Sequence, residues 1–196
     1  MSGQRKTKTL LGRIVMAGIG LCGFAGTASA AAPTHTLVEP AWRAATHAVA
    51  TMLESDSPRD VAMALRLVQD VGGAGFEDQL LDVAKDGESE LAAVALSLVA
   101  QTSDPRALEQ LEAAIASGDP ALVSVATVWL PAYGARGLEA AKRLLEHPSP
   151  VVRHAVVGAL AHFPPSDAVR GVLADTGRHA DARTARLAQR VLTAGL

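Results

Sequence analysis

Apolar residues return along this chain at a helical spacing, and the spaced block itself recurs. In residues 149–160 (SPVVRHAVVGAL), Val152, Ala155, Val156, Ala159 and Leu160 stand at i, i+3, i+4, i+7 and i+8. That spacing lays them in one stripe on a helix of 3.6 residues per turn. The stripe recurs after Pro120 as Leu122, Val125, Ala126, Trp129 and Leu130, and after Pro58 as Met63, Ala64, Leu67 and Val68. After Glu88 it is Ala93, Val94 and Leu98, with Glu90 and Ser97 as departures, and after Ala182 it is Leu187, Ala188, Val191 and Leu192. The five starts lie 30, 32, 30 and 32 residues apart. A fixed period in this range is the mark of stacked repeats, in which each unit buries its apolar face against the next.

A second apolar stripe lies between consecutive first stripes. Residues 75–85 carry Phe76, Leu80 and Val83; 105–116 carry Leu108, Leu111 and Ile115; 135–147 carry Leu138, Ala141 and Leu145; 166–176 carry Val169, Val172 and Leu173. The joints are short and built of breakers: Gly72-Gly73, Ser103-Asp104-Pro105, Pro131 with Gly134, and Pro164-Pro165. Ser103 or Asp104, and Ser166 or Asp167, are N-cap residue types at helix starts. Joints this short fold each helix pair antiparallel. No useful length alternates with period two, so no sheet is expected. Residues 40–54 read as one more helix, with Pro40 in its first turn and Trp42, Ala45, Val49 and Met52 on an apolar side. It is expected to cap the open N-terminal face of the stack, with Trp42 in the core.

The unit S/D-P-x-V-x-x-A-x-x-A-L, then a loop, then D-P-x-A-x-x-x-L, is matched best by Asp119-Pro120, by Ser149-Pro150-Val151-Val152-Arg153-His154-Ala155 and by Asp104-Pro105-Arg106-Ala107-Leu108. It resembles the short bacterial HEAT-like repeat, of the kind also found in phycobilisome lyases, over residues 55–196. The resemblance implies an all-α fold: an α-solenoid of about five two-helix HEAT-like repeats with an N-terminal capping helix. It implies first helices on the convex side and second helices on the concave side, a surface that in this family mostly binds proteins. It also implies an Asp and an Arg that bond between neighbouring repeats. Arg153 fits the Arg position, while most corresponding places hold other residues.

The N-terminal part reads differently. Arg5, Lys6, Lys8 and Arg13 form a basic head, residues 14–26 an apolar run, and Ala28-Ser29-Ala30 a small-residue cleavage pattern. That is the pattern of a secretory signal peptide over residues 1–30, followed by a flexible lead-in over 31–39. The product is then periplasmic or secreted, with no membrane span after cleavage; the alternatives are an uncleaved membrane anchor over residues 14–32 and a lipoprotein attached at Cys22. Its balance is 14 basic against 20 acidic residues, the wrong sign for a general nucleic-acid binder. The chain's one cysteine, Cys22, lies in the removed segment, so packing alone holds the fold.

Catalytic chemistry finds little to work with. The remaining chain has no Cys and no G-x-S-x-G elbow, and no Gly-rich loop follows a strand. His147, His154 and His162 step by 7 and 8 residues, and two helical turns, about 11 Å, is too far for one tetrahedral ion. No enzyme activity, metal or cofactor is expected. A bilin lyase is the one enzyme the resemblance suggests, and its cytoplasmic chemistry conflicts with a secretory signal.

Charge changes the picture more. Residues 52–116 hold 13 acidic and 4 basic residues, and 117–196 hold 6 acidic and 9 basic. On the second helices the early charges are Glu77, Asp78, Asp82, Glu109 and Glu112, and the later ones Lys142, Arg143 and Arg170. These eight are the candidate partner-binding residues, meeting a protein partner with acid first and base later. The function expected is an exported, non-enzymatic protein-binding scaffold. The alternative is a regulatory or inhibitory subunit of an exported enzyme.

Overall fold

Every regular element among the described residues is a helix. The computed structural model describes residues 35–194, so the expected signal peptide over 1–30, with Cys22, and residues 31–34 of the lead-in lie outside them. The helices are α1 (His35–Leu53), α2 (Pro58–Val71), α3 (Glu77–Asp86), α4 (Ser89–Gln101), α5 (Pro105–Ser117), α6 (Pro120–Trp129), α7 (Gly134–Leu145), α8 (Pro150–Leu160), α9 (Asp167–His179) and α10 (Ala182–Thr193). A 3-10 turn, Leu130–Tyr133, joins α6 to α7. The arrangement is compatible with an α-solenoid. The chain divides into two units, Met1–Thr46 and His47–Leu196.

Two N-terminal expectations change. The lead-in over 31–39 is helical from His35, so Pro40 stands inside α1 rather than in its first turn. There it withholds one backbone donor. Leu37, Val38 and Glu39 contain no further breaker, so the helix runs back through them. In this first unit Trp42 is 45% exposed, not in the core. One turn on, its own helix offers only Ala45 and Thr46, too small to cover an indole.

In the second unit, helix ends follow local chemistry. Pro58, Pro105, Pro120 and Pro150 open helices at a position whose N–H has no intrahelical partner. Asp104 accepts from the Arg106 N–H at 2.8 Å, Asp119 from Ala121 at 2.9 Å, Ser166 from Val169 at 3.2 Å and Asp181 from Thr184 at 3.1 Å. Each satisfies an orphan donor. Gly72 ends α2 at φ 93° and Gly118 ends α5 at φ 71°, a region that side chains resist.

Contacts sort the helices into two rows. α2, α4, α6, α8 and α10 touch in that order, and α3, α5, α7 and α9 do the same. Across the rows α3 packs on α4, α5 on α6, α7 on α8 and α9 on α10. The core lies between the rows and includes Leu65, Leu80, Leu96, Leu111, Ile115, Leu130, Leu160 and Leu173, each 0–1% exposed. Val49 and Leu53, at the end of α1, join it.

The stripes differ in how well they locate the core. On α8, Val152, Val156, Ala159 and Leu160 are buried and Ala155 is half-buried. On α2 the buried face is Val61, Ala64, Leu65 and Val68, while Met63 is 50% exposed. The expected α2 stripe is turned toward one side because α2 has apolar residues on both flanks of Ala64 and Val68. On α4 the burial runs almost all round, through Ala92, Ala93, Ala95, Leu96, Leu98, Val99 and Ala100. Helices lie on several sides of it, and small side chains let them approach.

Candidate interaction surface

The eight candidate residues all sit on the row formed by α3, α5, α7 and α9. Glu77, Asp78 and Asp82 are on α3, Glu109 and Glu112 on α5, Lys142 and Arg143 on α7, and Arg170 on α9. Amphipathic spacing places them there: Leu80 and Val83, Leu108 and Leu111, and Leu138 and Ala141 turn inward, so the charged positions of the same helices turn out.

The charges are not left facing solvent alone. The Arg143 guanidinium donates to Glu112 at 2.6 and 3.3 Å, joining α5 to α7. Arg106, at the start of α5, reaches Asp78 on α3 at 2.6 Å and also holds its own N-cap, Asp104, at 2.7 Å. Lys142 pairs with Glu139, and Arg170 with Asp167, within single helices. Glu77 accepts from the Gly75 N–H at 2.8 Å. Asp82 and Glu109 are exposed and make no ion pair among the described residues. An acid-first, base-later surface is therefore partly neutralised, because basic residues of one helix meet acids of the helix before it. The open acidic positions are Asp82 and Glu109.

Sequence reading missed most of these bridges. Ser89 donates to Asp119 at 2.7 Å, Trp129 Nε1 to Ser97 at 3.2 Å and the Tyr133 hydroxyl to the Asp104 carbonyl at 3.1 Å. Sequence separations of these bonds are 30, 32 and 29 residues, and those of Arg106–Asp78, Arg143–Glu112 and Arg153–Asp181 are 28, 31 and 28. All lie close to the spacing of the stripes. A search for polar pairs one period apart is the signal that would have found them.

Arg153 is the most enclosed of the bridging arginines, its side chain 19% exposed. It donates to the His147 and Pro148 carbonyls, both at 2.8 Å, and to Asp181 at 2.9 Å. It thus ties the loop before α8 to the start of α10. The Thr184 backbone N–H, then the Arg153 guanidinium, hold the Asp181 carboxyl well below its ordinary value near 3.8. A carboxyl with a depressed folded-state pKa stabilises fully above its unfolded value and loses that contribution as pH falls through the folded one. Wild-type stability is therefore expected to fall below about pH 4, and Asp181→Asn should reduce that acid-side loss. Urea titrations of both proteins from neutral to strongly acidic pH check it. Parallel pH profiles would mean that Asp181 does not contribute.

Beside this row, a cleft of about 700 Å³ lies where α1, α2, α3 and α4 meet. It carries Glu54, Asp56, Asp82, Asp86 and Glu88 over Leu53, Val61 and Leu91, with no basic residue in its lining. At the other end of the unit, Arg183, Arg186 and Arg190 line a cleft with His154. Met63, Val128 and Val151 are exposed on the row of first helices. His147, His154 and His162 do not form a metal-binding group: among the described residues no set of three or more His, Cys, Asp or Glu is placed to hold an ion. No described helix is long and apolar enough to cross a membrane. No family model matches this chain, and no curated protein matches it.

Proposed function

We propose that this chain is an exported, non-enzymatic scaffold that binds a protein along its second helices, built as an α-solenoid of about five HEAT-like repeats. The observation that carries the reading is the pair of helix rows, each helix touching its neighbours in sequence order, with polar bridges recurring at 28 to 32 residues. That is how a stack of similar units behaves. Val49 and Leu53, buried at the end of α1, support α1 as its N-terminal cap. Such a stack offers a continuous row of outward side chains. On α3 and α5 the candidate acids left without an ion pair are Asp82 and Glu109, which suits a partner with a basic face.

Export rests on the basic head, the apolar run and Ala28-Ser29-Ala30. N-terminal sequencing of the product is expected to read from near Ala31. An intact Met1 or a lipidated Cys22 would remove this part of the reading. Tagged product incubated with envelope extract is expected to retain one protein in stoichiometric amount, released by raised salt. Retention of nothing above background would count against the scaffold reading.

A further inference from the structure

We propose that the cleft between α8 and α10 is an oxyanion site for a condensed phosphate, a linear chain of three or more phosphoryl groups. Its lining is His154 from α8 and Arg183, Arg186, Gln189, Arg190 and Thr193 from α10, around about 580 Å³. Arg183, Arg186 and Arg190 stand at i, i+3 and i+7 and so share one helix face. They are strung along about 10 Å of helix axis at 1.5 Å per residue.

These three arginines, like Arg59, Arg66 and Arg136, have no carboxylate partner among the described residues; what sets them apart is that three stand together on one helix face. Arg106, Arg143, Arg153, Arg170 and Arg178 each reach a carboxylate. Arg183, Arg186 and Arg190 make no ion pair among the described residues, and Arg186 donates only to the Ala182 carbonyl of its own helix, at 3.0 Å. The nearest acid in sequence, Asp181, is already held by Arg153 and the Thr184 N–H. Three like charges on one face repel one another, and an anion laid along them removes that repulsion.

His154 adds a donor. Its Nδ1 is sealed from solvent with no hydrogen-bond partner. A buried N–H without an acceptor is costly and rare, so the neutral ring carries its hydrogen on Nε2. That nitrogen is not sealed, and the ring lines the cleft.

The lining selects the ligand class. Guanidinium forks match phosphate oxygens two at a time. The row is longer than a single phosphate, which favours a chain of them. All six lining residues are polar. None is Phe, Tyr or Trp, so there is no broad aromatic platform on which a nucleic-acid base would stack.

Calorimetric titration of the purified protein with tripolyphosphate, pyrophosphate, orthophosphate and citrate at matched ionic strength tests the site. One site per chain is expected, with tripolyphosphate at least about tenfold tighter than orthophosphate or citrate. Arg186→Gln with Arg190→Gln should weaken tripolyphosphate by about tenfold or more, as loss of charge-assisted bonds does. Arg59→Gln with Arg66→Gln on α2 should leave it unchanged. Circular dichroism melting establishes that both variants remain folded. No binding, equal affinity for citrate and tripolyphosphate, or equal loss from the α2 pair would overturn the proposal. So would sedimentation with phosphatidylglycerol vesicles that tripolyphosphate fails to compete away, which would mark a membrane surface instead.

Discussion

Leu160→Ala is expected to lower the free energy of unfolding by about 2–5 kcal/mol, the range for truncating a fully buried leucine. Leu160 is 0% exposed at the end of α8, beside Ala159, Val156 and Phe163, which are also buried. α8 has α6 on one side, α10 on the other and α7 across the rows. A cavity opened there cannot be filled by a shift of one helix without spoiling another contact. Val151→Ala on the same helix is the internal control. Val151 is 65% exposed, and its loss should stay within about 0.5 kcal/mol. Denaturant titration of the two variants reads the difference directly. Equal effects would mean that the face of α8 is assigned wrongly.

Gly137→Ala should be the second most damaging change, at about 1–3 kcal/mol or more, as overpacking costs in a close-packed interior. Gly137 lies in the first turn of α7, and a Cβ there would sit 2.2 Å from the carbonyl oxygen of Leu130. Leu130 cannot retreat easily, being 0% exposed and the first residue of the 3-10 turn. The strain would fall on the joint that turns α6 into α7. Gly158→Ala on α8 and Gly171→Ala on α9 provide the contrast, because nothing lies within 4 Å of a Cβ at either position. Both should be neutral or stabilising by about 0.4–1 kcal/mol, through reduced freedom of the unfolded chain. Thermal melts of the three variants separate the cases. A Gly137→Ala melt matching Gly158→Ala would contradict the close approach.

The helices were legible because their apolar residues recur at a helical period and several of their ends carry caps. Asp104, Ser166 and Gly72 mark ends that local chemistry decides. The face of α8 was legible because Val152, Val156, Ala159 and Leu160 of its stripe are all buried, with Val157 beside the stripe buried as well. The face of α2 was less so, since Val61, Met63, Leu65 and Leu67 surround Ala64 and Val68, and only the neighbouring helices choose between the two sides. Trp42 shows the same limit: its size suggests a core position, while burial depends on what is packed over it. The charges were placed on the right helices, but their pairing was not foreseen. Arg143 and Glu112 lie 31 residues apart, and no local pattern links them. The packing of α5 against α7 brings one beside the other. Arg183, Arg186 and Arg190 share a face by spacing alone, whereas their lack of acidic partners depends on where Asp181 is engaged.

We place the proposed protein partner along the second helices. Asp82→Lys with Glu109→Lys tests this placement most directly, because both residues are exposed and reversing them leaves the Arg106–Asp78 and Arg143–Glu112 bridges in place. Asp70→Lys with Glu90→Lys, exposed on α2 and α4 of the row of first helices and outside the acidic cleft that holds Asp82, is the comparison. The measurement is the association rate of the retained partner with each protein at low and high salt. Exposed charges act mainly on that rate, and salt screens them. The Asp82 and Glu109 pair is expected to slow association strongly at low salt and little at high salt, with the Asp70 and Glu90 pair close to wild type. Equal slowing by both pairs, or rates independent of salt, would contradict the account.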